Sequence, residues 1–167
     1  AAKTRSRLAE ARHERVERTF MFTDLVKSTD VRSALIERVG EHQGNERFRD
    51  EILLPHNRVI EDRVAEHEGE IVGTAGDSYF AVFPDARRAI ECAVAIQRAL
   101  VGNPIPIEDA SGKLPRYVQV RIGMHTGVAT QVLVAGTVNY DDQTIAIAHR
   151  IEEHAEGEQV LASEDTW

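Results

Sequence analysis

Near its beginning the chain reads FMFTDLVKST from Phe20 to Thr29, a short apolar strand that ends on a carboxylate and turns through hydroxyl residues into a helix. A second stretch, EIVGTAGDSYFAVF from Glu70 to Phe83, predicts two strands joined by a tight turn at Gly76 and Asp77. If these strands are neighbours, Asp24 and Asp77 face each other at the strand ends. Hard dications such as Mg²⁺ take carboxylates and substrate phosphates as ligands. The sequence therefore predicts a site for one or two metal ions between the two aspartates.

Composition and charge narrow the class of protein. A chain of 167 residues, 42% hydrophobic and 29% charged, predicts a single globular domain and excludes wholesale disorder. No apolar run approaches the roughly 20 residues of a membrane helix, so we expect no membrane span in this segment. The single cysteine, Cys92, excludes an intramolecular disulfide and favours a cytoplasmic location. The net charge of −8 argues against nonspecific nucleic-acid binding but remains compatible with a nucleotide substrate.

Periodicity predicts an α+β fold in which helices pack on a largely antiparallel sheet. Residues 1–18 are interpreted as an N-terminal extension, either a solvated lead-in or a short dimer-forming helix, and residues 19–167 as the domain. The predicted strands are Thr19–Thr23, two strands around Gly76-Asp77, Tyr117–Thr126, Gln131–Val138 and Gln159–Ser163. The predicted helices run from a Ser28 or Thr29 cap to Val39, from Gln43 to Val64 with a bend at Pro55, from Pro84 to about Leu100, and from an Asp141 or Asp142 cap to His154.

The turn after the first strand predicts an anion site. Backbone N–H groups at a helix N-terminus bind phosphate oxygens, so a phosphate is expected on residues Val26, Lys27, Ser28 and Thr29, with the Lys27 ammonium adding charge. A solvated surface lysine is an equal alternative for Lys27. Phosphate loops of the Gly-x-x-x-x-Gly-Lys type, zinc motifs and nucleophile elbows are missing from the sequence. His125 and His149 are interpreted as structural side chains.

Four segments of the chain form a specific set: Phe22–Thr29, Gly76-Asp77 followed by Phe80 and Phe83, VRIGMHTG from Val120 to Gly127, and Ala148-His149-Arg150. Together they resemble the class III nucleotidyl cyclase catalytic domain. They stand in the family's order across nearly the whole chain, which makes the resemblance specific. It implies a ferredoxin-like βαββαβ core with a mostly antiparallel sheet. The C-terminal hairpin of the family, which carries a triphosphate-binding lysine, would follow Trp167, so we expect this segment to lack it.

The resemblance also implies the roles of individual residues. Asp24 and Asp77, with the Leu25 carbonyl, would hold two Mg²⁺ or Mn²⁺ ions per site. Arg150 would reach the α-phosphate from a partner subunit, because family members work as head-to-tail homodimers with sites between the protomers. The implied reaction converts a nucleoside triphosphate to a 3′,5′-cyclic nucleotide and pyrophosphate.

The chain departs from the purine cyclases where the base is read. Gly73 stands in place of their lysine, and Asn139 and Tyr140 stand where purine cyclases complete base recognition. Ala146 replaces the asparagine that orients the ribose. This pattern is similar to the bacterial pyrimidine cyclases, which make cyclic UMP or cyclic CMP in defence against phage, and it favours UTP as substrate. An adenylate or guanylate cyclase with an atypical pocket and a catalytically inactive pseudocyclase remain as alternatives.

Overall fold

A six-stranded sheet forms the centre of the structure, a computed structural model that describes residues 13–134 and 136–167. The strand order is β2-β3-β1-β4-β5, and β6 lies beside β4. All pairings are antiparallel except the parallel pairing of β6 with β4, which confirms the predicted fold class. The strands are β1 His13–Leu25, β2 Glu70–Ala75, β3 Ser78–Phe83, β4 Val120–Val134, β5 Thr137–Asp141 and β6 Val160–Ala162.

Within the described ranges, five α-helices accompany the sheet: α1 Ser28–Val39, α2 Glu41–Arg47, α3 Leu54–Glu66, α4 Ala86–Gly102 and α5 Gln143–His154. A π-helical segment, Phe48–Leu53, joins α2 to α3, and a short 3-10 helix covers Glu164–Thr166. The predicted bend at Pro55 is realised as this π segment, in which the Leu54 N–H bonds to the Arg49 carbonyl five residues back. The Asp142 side chain caps α5, as predicted, by accepting a hydrogen bond from the Gln143 N–H. The Asp85 side chain caps α4 by accepting one from the Arg88 N–H.

The core lies mainly between one sheet face and the helices α3 and α4. Alternate residues of β4 and the preceding segment point into it, and Val118, Val120, Ile122 and Met124 are all buried, as the alternation predicted. The opposite sheet face holds a smaller apolar cluster around Phe20, against which α5 packs through Ala148. The sheet is therefore covered on both faces, but the second face only in part.

Three sequence predictions were wrong in detail. First, residues 13–18 continue β1, pairing with β4 from His13 opposite Val132, where we expected a helix or lead-in; residues 1–12 lie outside the described part of the chain. Second, β4 runs unbroken through Gly127 to Val134, so the first predicted strand merges with the start of the second, whose last residues belong to the separate strand β5. Third, neither Ser28 nor Thr29 caps α1, because the chain enters the helix through Lys27 in the left-handed conformation with φ of 56°.

Cys92 lies in the core on α4 and is completely buried, as expected for an inert thiol. Burial raises the pKa of the Cys92 thiol to about 12. Because only the thiolate reacts, a shift of this size lowers its concentration about a thousandfold. We expect a thiol reagent such as Ellman's reagent to label the folded protein far more slowly than the urea-unfolded protein. Rapid stoichiometric labelling of the folded protein would show that α4 opens readily.

None of the helices in the described ranges has the length and apolar character that crossing a membrane requires.

Candidate active site

The end of β1 places Asp24 beside the β2–β3 turn. β1 pairs with β3, with Thr23 opposite Tyr79, so the two strands are neighbours as predicted. The Ser78 hydroxyl donates a hydrogen bond of 2.7 Å to Asp24 Oδ1. Ser78 directly follows Asp77 in the chain, and this contact brings the turn that carries Asp77 up to the first aspartate.

One carboxylate oxygen of Asp77 is buried without a hydrogen-bond partner among the described residues. The turn that holds it depends on Gly76, whose φ of 65° is in the left-handed region that favours glycine. The Asp77 Oδ2 atom is buried, and no hydrogen bond reaches it from the described residues. A buried carboxylate oxygen without a donor fits a cation. The described part of the chain has no group of three or more His, Cys, Asp or Glu side chains arranged for a metal, so further ligands would be carbonyls or phosphates, as is common for Mg²⁺.

Arg121 is a site residue that the sequence analysis missed. It lies opposite Asp24 in the β1–β4 ladder, and its Nη2 and Nε donate to Asp24 Oδ2 over 2.6 and 3.1 Å. Arg121 Nε is also 2.7 Å from Glu152 Oε1 on α5, although its single N–H points to Asp24. Arg121 therefore links one proposed metal ligand to α5. The sequence does place Arg121 on the polar face of a predicted strand. Its pairing with Asp24, however, depends on the register between β1 and β4, which the sequence does not show.

Glu152 is the third member of this ion-pair cluster. Its side chain is only 5% exposed. Burial raises the pKa of the Glu152 carboxyl, and the nearby Arg121 charge opposes that shift. The two carboxylates, Asp24 and Glu152, thus share one guanidinium in a half-buried position.

The four residues predicted to bind phosphate divide between two cavities. Ser28 and Thr29 line a cavity of about 490 Å³ together with Asp77, which we call the α1 cavity. Val26 and Lys27 line a different cavity of about 350 Å³, beside Asp24 and Arg121. The Lys27 ammonium donates to the Lys113 carbonyl over 3.1 Å. The structure thus brings the hydroxyl pair of Ser28 and Thr29 to Asp77, whereas the Lys27 ammonium is bonded to the 109–114 loop.

A second feature, which we call the aromatic cavity, measures about 320 Å³ and is lined by Phe22, Gly73, Ser78, Phe80 and His149 among others. The rings of Phe22 and Phe80 stack with centroids 4.6 Å apart and an interplanar angle of 4°. The His149 ring stands edge-on to Phe22 at 5.1 Å. His149 therefore lines the cavity, whereas the sequence predicted only a structural role for its side chain. Flat apolar walls with a few polar groups suit an aromatic ligand.

The residues predicted to read the base do not meet within one chain. Gly73 is on β2 at one edge of the sheet, and Asn139 and Tyr140 are on β5 at the other. Four strand spacings of about 4.8 Å each separate these edges. Gly73 faces open space, with no atom within 4 Å of the Cβ it lacks. The Tyr140 ring packs edge-on against Phe20 at 5.4 Å. A single base pocket containing all three would need a second copy of the chain.

Arg150 is exposed on α5. It is two residues before Glu152, which on an α-helix of 3.6 residues per turn puts the two side chains about 200° apart. Glu152 faces the sheet and Arg121, so Arg150 is directed away from this chain's own Asp24. The role of Arg150 in the site of a partner subunit stays a prediction.

Comparison with known proteins places this geometry in a family. The family described as "Adenylate and Guanylate cyclase catalytic domain" matches residues 9–167. Among curated proteins, the receptor-type adenylate cyclase A of Leishmania donovani is 25% identical over 180 residues, covering 89% of this chain. The chain spans only 12% of that relative's length.

Solved structures of cyclase domains share the fold. The adenylyl cyclase CyaB from P. aeruginosa has a TM-score of 0.74 at 18% identity, covering 93% of this chain and 80% of its own. The guanylate cyclase domain of RhGC from Catenaria anguillulae, solved in complex with GTP, has a TM-score of 0.72 at 20% identity, covering 93% and 82%. The guanylyl cyclase domain of the RhoGC fusion protein from Blastocladiella emersonii has a TM-score of 0.69 at 21% identity, covering 93% and 85%. The chain therefore belongs to the adenylate and guanylate cyclase catalytic domain family, the class III nucleotidyl cyclases.

Proposed function

We propose that this domain converts a pyrimidine nucleoside triphosphate, UTP in preference to CTP, to its 3′,5′-cyclic nucleotide and pyrophosphate. The observation that carries the cyclisation is the contact of Asp24 with the β2–β3 turn, where Asp77 keeps a buried oxygen to which none of the described residues donates a hydrogen bond. The likeness to pyrimidine cyclases suggests that the product is a signal in antiphage defence.

The proposed metal site is built from the ends of β1 and β2–β3. Asp24 and Asp77, with the Leu25 carbonyl, would hold two Mg²⁺ or Mn²⁺ ions. Such ions activate the ribose 3′-hydroxyl and neutralise charge on the phosphates when they are bound. Arg121 holds Asp24 in place through N–H groups on Nε and Nη2 and balances the negative charge of its carboxylate.

The phosphate chain would lie along the N-terminus of α1. Ser28 and Thr29 share the α1 cavity with Asp77, so a triphosphate there meets backbone N–H groups, hydroxyls and the metal-binding turn together. Val26 and Lys27 belong to the same turn, and Lys27 would have to leave the Lys113 carbonyl to reach a phosphate.

One observation supports a pyrimidine over a purine. The Gly73 position has no side chain to pair with the edge of a purine, and groups left unpaired in a closed site are what reject a wrong base. The rings of Phe22, Phe80 and His149 line the aromatic cavity and suit stacking with either kind of base.

The complete site would need a head-to-tail homodimer. Arg150 points away from its own Asp24, and Asn139 and Tyr140 lie across the sheet from Gly73. Pairing two copies would bring Arg150 to the partner's phosphates and Asn139 to the partner's Gly73 edge. The partly covered sheet face around Phe22, Phe80 and Val72 offers an apolar contact surface for that pairing.

One alternative is an adenylate or guanylate cyclase, which the relatives with adenylate cyclase and GTP-complex names favour. The other is a pseudocyclase that binds nucleotide without turnover, which Ala146 favours because its methyl cannot orient a ribose.

Product formation separates these functions. With Mn²⁺ and each of the four nucleoside triphosphates in turn, we expect cyclic UMP as the main product, measured by mass spectrometry. A purine product would support the first alternative, and no product from a verified dimer would support the second. A matched variant, Gly73→Lys, restores a long donor in open space and is expected to shift the product ratio toward a purine. A pyrimidine preference unchanged by this variant would exclude Gly73 from base recognition.

A further inference from the structure

Arg32 is a cation on the wall of the α1 cavity that forms no ion pair with a carboxylate among the described residues. Its Nε–H donates over 2.6 Å to the amide oxygen of Asn45, a neutral group on α2 that also lines the cavity. Arg49 lines the same cavity, but its guanidinium donates to the Asp50 carboxylate over 2.7 and 3.0 Å. Arg32 therefore brings a positive charge to the cavity that is not neutralised by an ion pair.

The position of Arg32 on α1 directs its side chain toward the N-terminus of the helix. Arg32 comes four residues after Ser28 and three after Thr29, so the three side chains share one face of α1. Helical Cα–Cβ bonds tilt toward the N-terminus, and a long side chain covers the turn before its own Cα. The first turn of α1 has no side-chain cap, so its backbone N–H groups face the same end. The guanidinium, the hydroxyls and these N–H donors thus lie around one region of the cavity.

The acidic side chains nearby leave Arg32 available to an anion. Asp30, in the first turn of α1, lines a separate cavity. Glu46 lines the α1 cavity, where its carboxylate lies 3.5 Å from the His42 ring. Asp77 lines it too, and no hydrogen bond within residues 13–134 and 136–167 reaches the buried Oδ2 atom, which fits a cation. The cavity thus combines a group that suits an anion with a group that suits a cation, the two requirements of a metal-bound triphosphate.

We propose that Arg32 binds the terminal phosphate of the nucleoside triphosphate. This inference rests on the proposed function and names a side chain that would hold the substrate in the same cavity. Because Nε is held by Asn45, the remaining N–H groups of the guanidinium lie in a fixed plane that matches two oxygens of a phosphate. The α-phosphate has to lie at the metal ions, so the terminal phosphate is the one that extends along α1. The Lys27 ammonium, by contrast, is bonded to the Lys113 carbonyl.

The contact of Arg32 with the terminal phosphate acts on binding rather than on the bond that forms. Cyclisation takes place at the α-phosphate, so an interaction with the terminal phosphate is made equally in the bound substrate and in the transition state. Removing an interaction of this kind raises KM and leaves kcat unchanged. Arg32 is therefore a substrate-binding residue, and its replacement has a signature that differs from the loss of a metal ligand.

The test measures binding of inorganic tripolyphosphate in the presence of Mn²⁺, because this probe carries the phosphates without ribose or base. Isothermal titration calorimetry gives its affinity for the unaltered chain, for Arg32→Gln and for Arg32→Lys. We expect about 10-fold weaker binding or more for Arg32→Gln, because hydrogen bonds between charged groups are strong enough for that loss. Arg32→Lys keeps the charge without the planar fork and should lie between the two. Equal affinity for Arg32→Gln and the unaltered chain would overturn the proposal, as would a lack of measurable binding to the unaltered chain.

A control variant separates this contact from a general effect of charge. Arg98 is exposed on α4 and lies outside the α1 cavity, so Arg98→Gln changes the net charge by the same amount. We expect tripolyphosphate affinity within about twofold of the unaltered chain, because salt screens remote exposed charges. Weakening by Arg98→Gln as large as that by Arg32→Gln would show that the effect does not depend on the cavity, and would contradict the role of Arg32.

Kinetics with UTP distinguish a failure of this inference from a failure of the proposed function. We expect Arg32→Gln to raise KM about 10-fold or more and to keep kcat within about threefold. Cyclic nucleotide formation by the unaltered chain, with unchanged affinity and KM in Arg32→Gln, would contradict only the role of Arg32. Weaker tripolyphosphate binding by Arg32→Gln, with no product from the unaltered chain, would support Arg32 as a phosphate ligand and contradict the cyclase function.

Discussion

Asp77→Asn is expected to lower cyclic nucleotide formation by about a thousandfold or more while leaving the fold intact. The substitution replaces one of the two proposed metal-binding carboxylates by a neutral amide. Metal ions supply several kcal/mol of transition-state stabilisation, and each 1.36 kcal/mol that is lost lowers the rate tenfold. The folded state should not suffer, because Asp77 Oδ2 makes no hydrogen bond within the described residues. Removing its buried charge should keep or raise the thermal midpoint. Turnover and thermal unfolding of the same preparation measure the two effects.

The control for this variant is Asp62→Asn. Asp62 is an exposed carboxylate on α3 that lines none of the three cavities described above. Its replacement by Asn therefore changes the net charge by the same amount and leaves the cavities unaltered. We expect wild-type turnover from it. If Asp77→Asn kept more than about a tenth of the activity, the second carboxylate would have to be sought elsewhere and the proposed site would fail.

Gly123→Ala is expected to destabilise the protein more than any other single methyl added to the sheet. A Cβ at this position would lie 2.0 Å from the Glu152 nitrogen and 2.3 Å from its Cα. Because these are backbone atoms of α5, the helix itself must move. Forcing extra atoms into a packed interior costs about 1–3 kcal/mol and more where backbone has to shift, so we expect about 3 kcal/mol or more. For a domain of this size this lowers the thermal midpoint by about 6–12 °C.

The matched control is Gly73→Ala on β2. No atom lies within 4 Å of the added Cβ there, and Gly73 does not need a positive φ. Alanine should therefore be neutral, or stabilising by about 0.4–1 kcal/mol through the unfolded state. Urea or thermal unfolding of both variants measures the difference in stability. Similar unfolding midpoints for Gly123→Ala and Gly73→Ala would show that the backbone of α5 does not pack directly against Gly123.

The hairpin and the two aspartates could be predicted from sequence because their signals are local. An apolar run that ends on Asp24, and a Gly-Asp pair between two strand-like runs, each determine a strand end within a few residues. The helix cap at Asp142 depends on short-range hydrogen bonding in the same way. The amphipathic period of α4 likewise needs no knowledge of the rest of the chain.

The longer elements could not be predicted because tertiary packing decides them. The sequence predicts that a strand ends at Thr126, yet β4 continues because β1 pairs with it from Val120 to Val132. The first residues of β1, His13-Glu14-Arg15-Val16-Glu17-Arg18, are mostly charged, which suits a solvated helix as much as a sheet edge. The tie between Arg121 and Asp24 depends on the β1–β4 register, in which a shift of one residue would turn the guanidinium to the other face.

The contact of α5 with β4 has a mechanical consequence. The helix is seated by the missing side chain of Gly123 and tied by charge through Glu152 to Arg121, which in turn grips Asp24. The helix α5 and the end of β1 are therefore expected to move together. A force applied to α5 from outside the domain would also displace the Asp24 carboxylate at the end of β1.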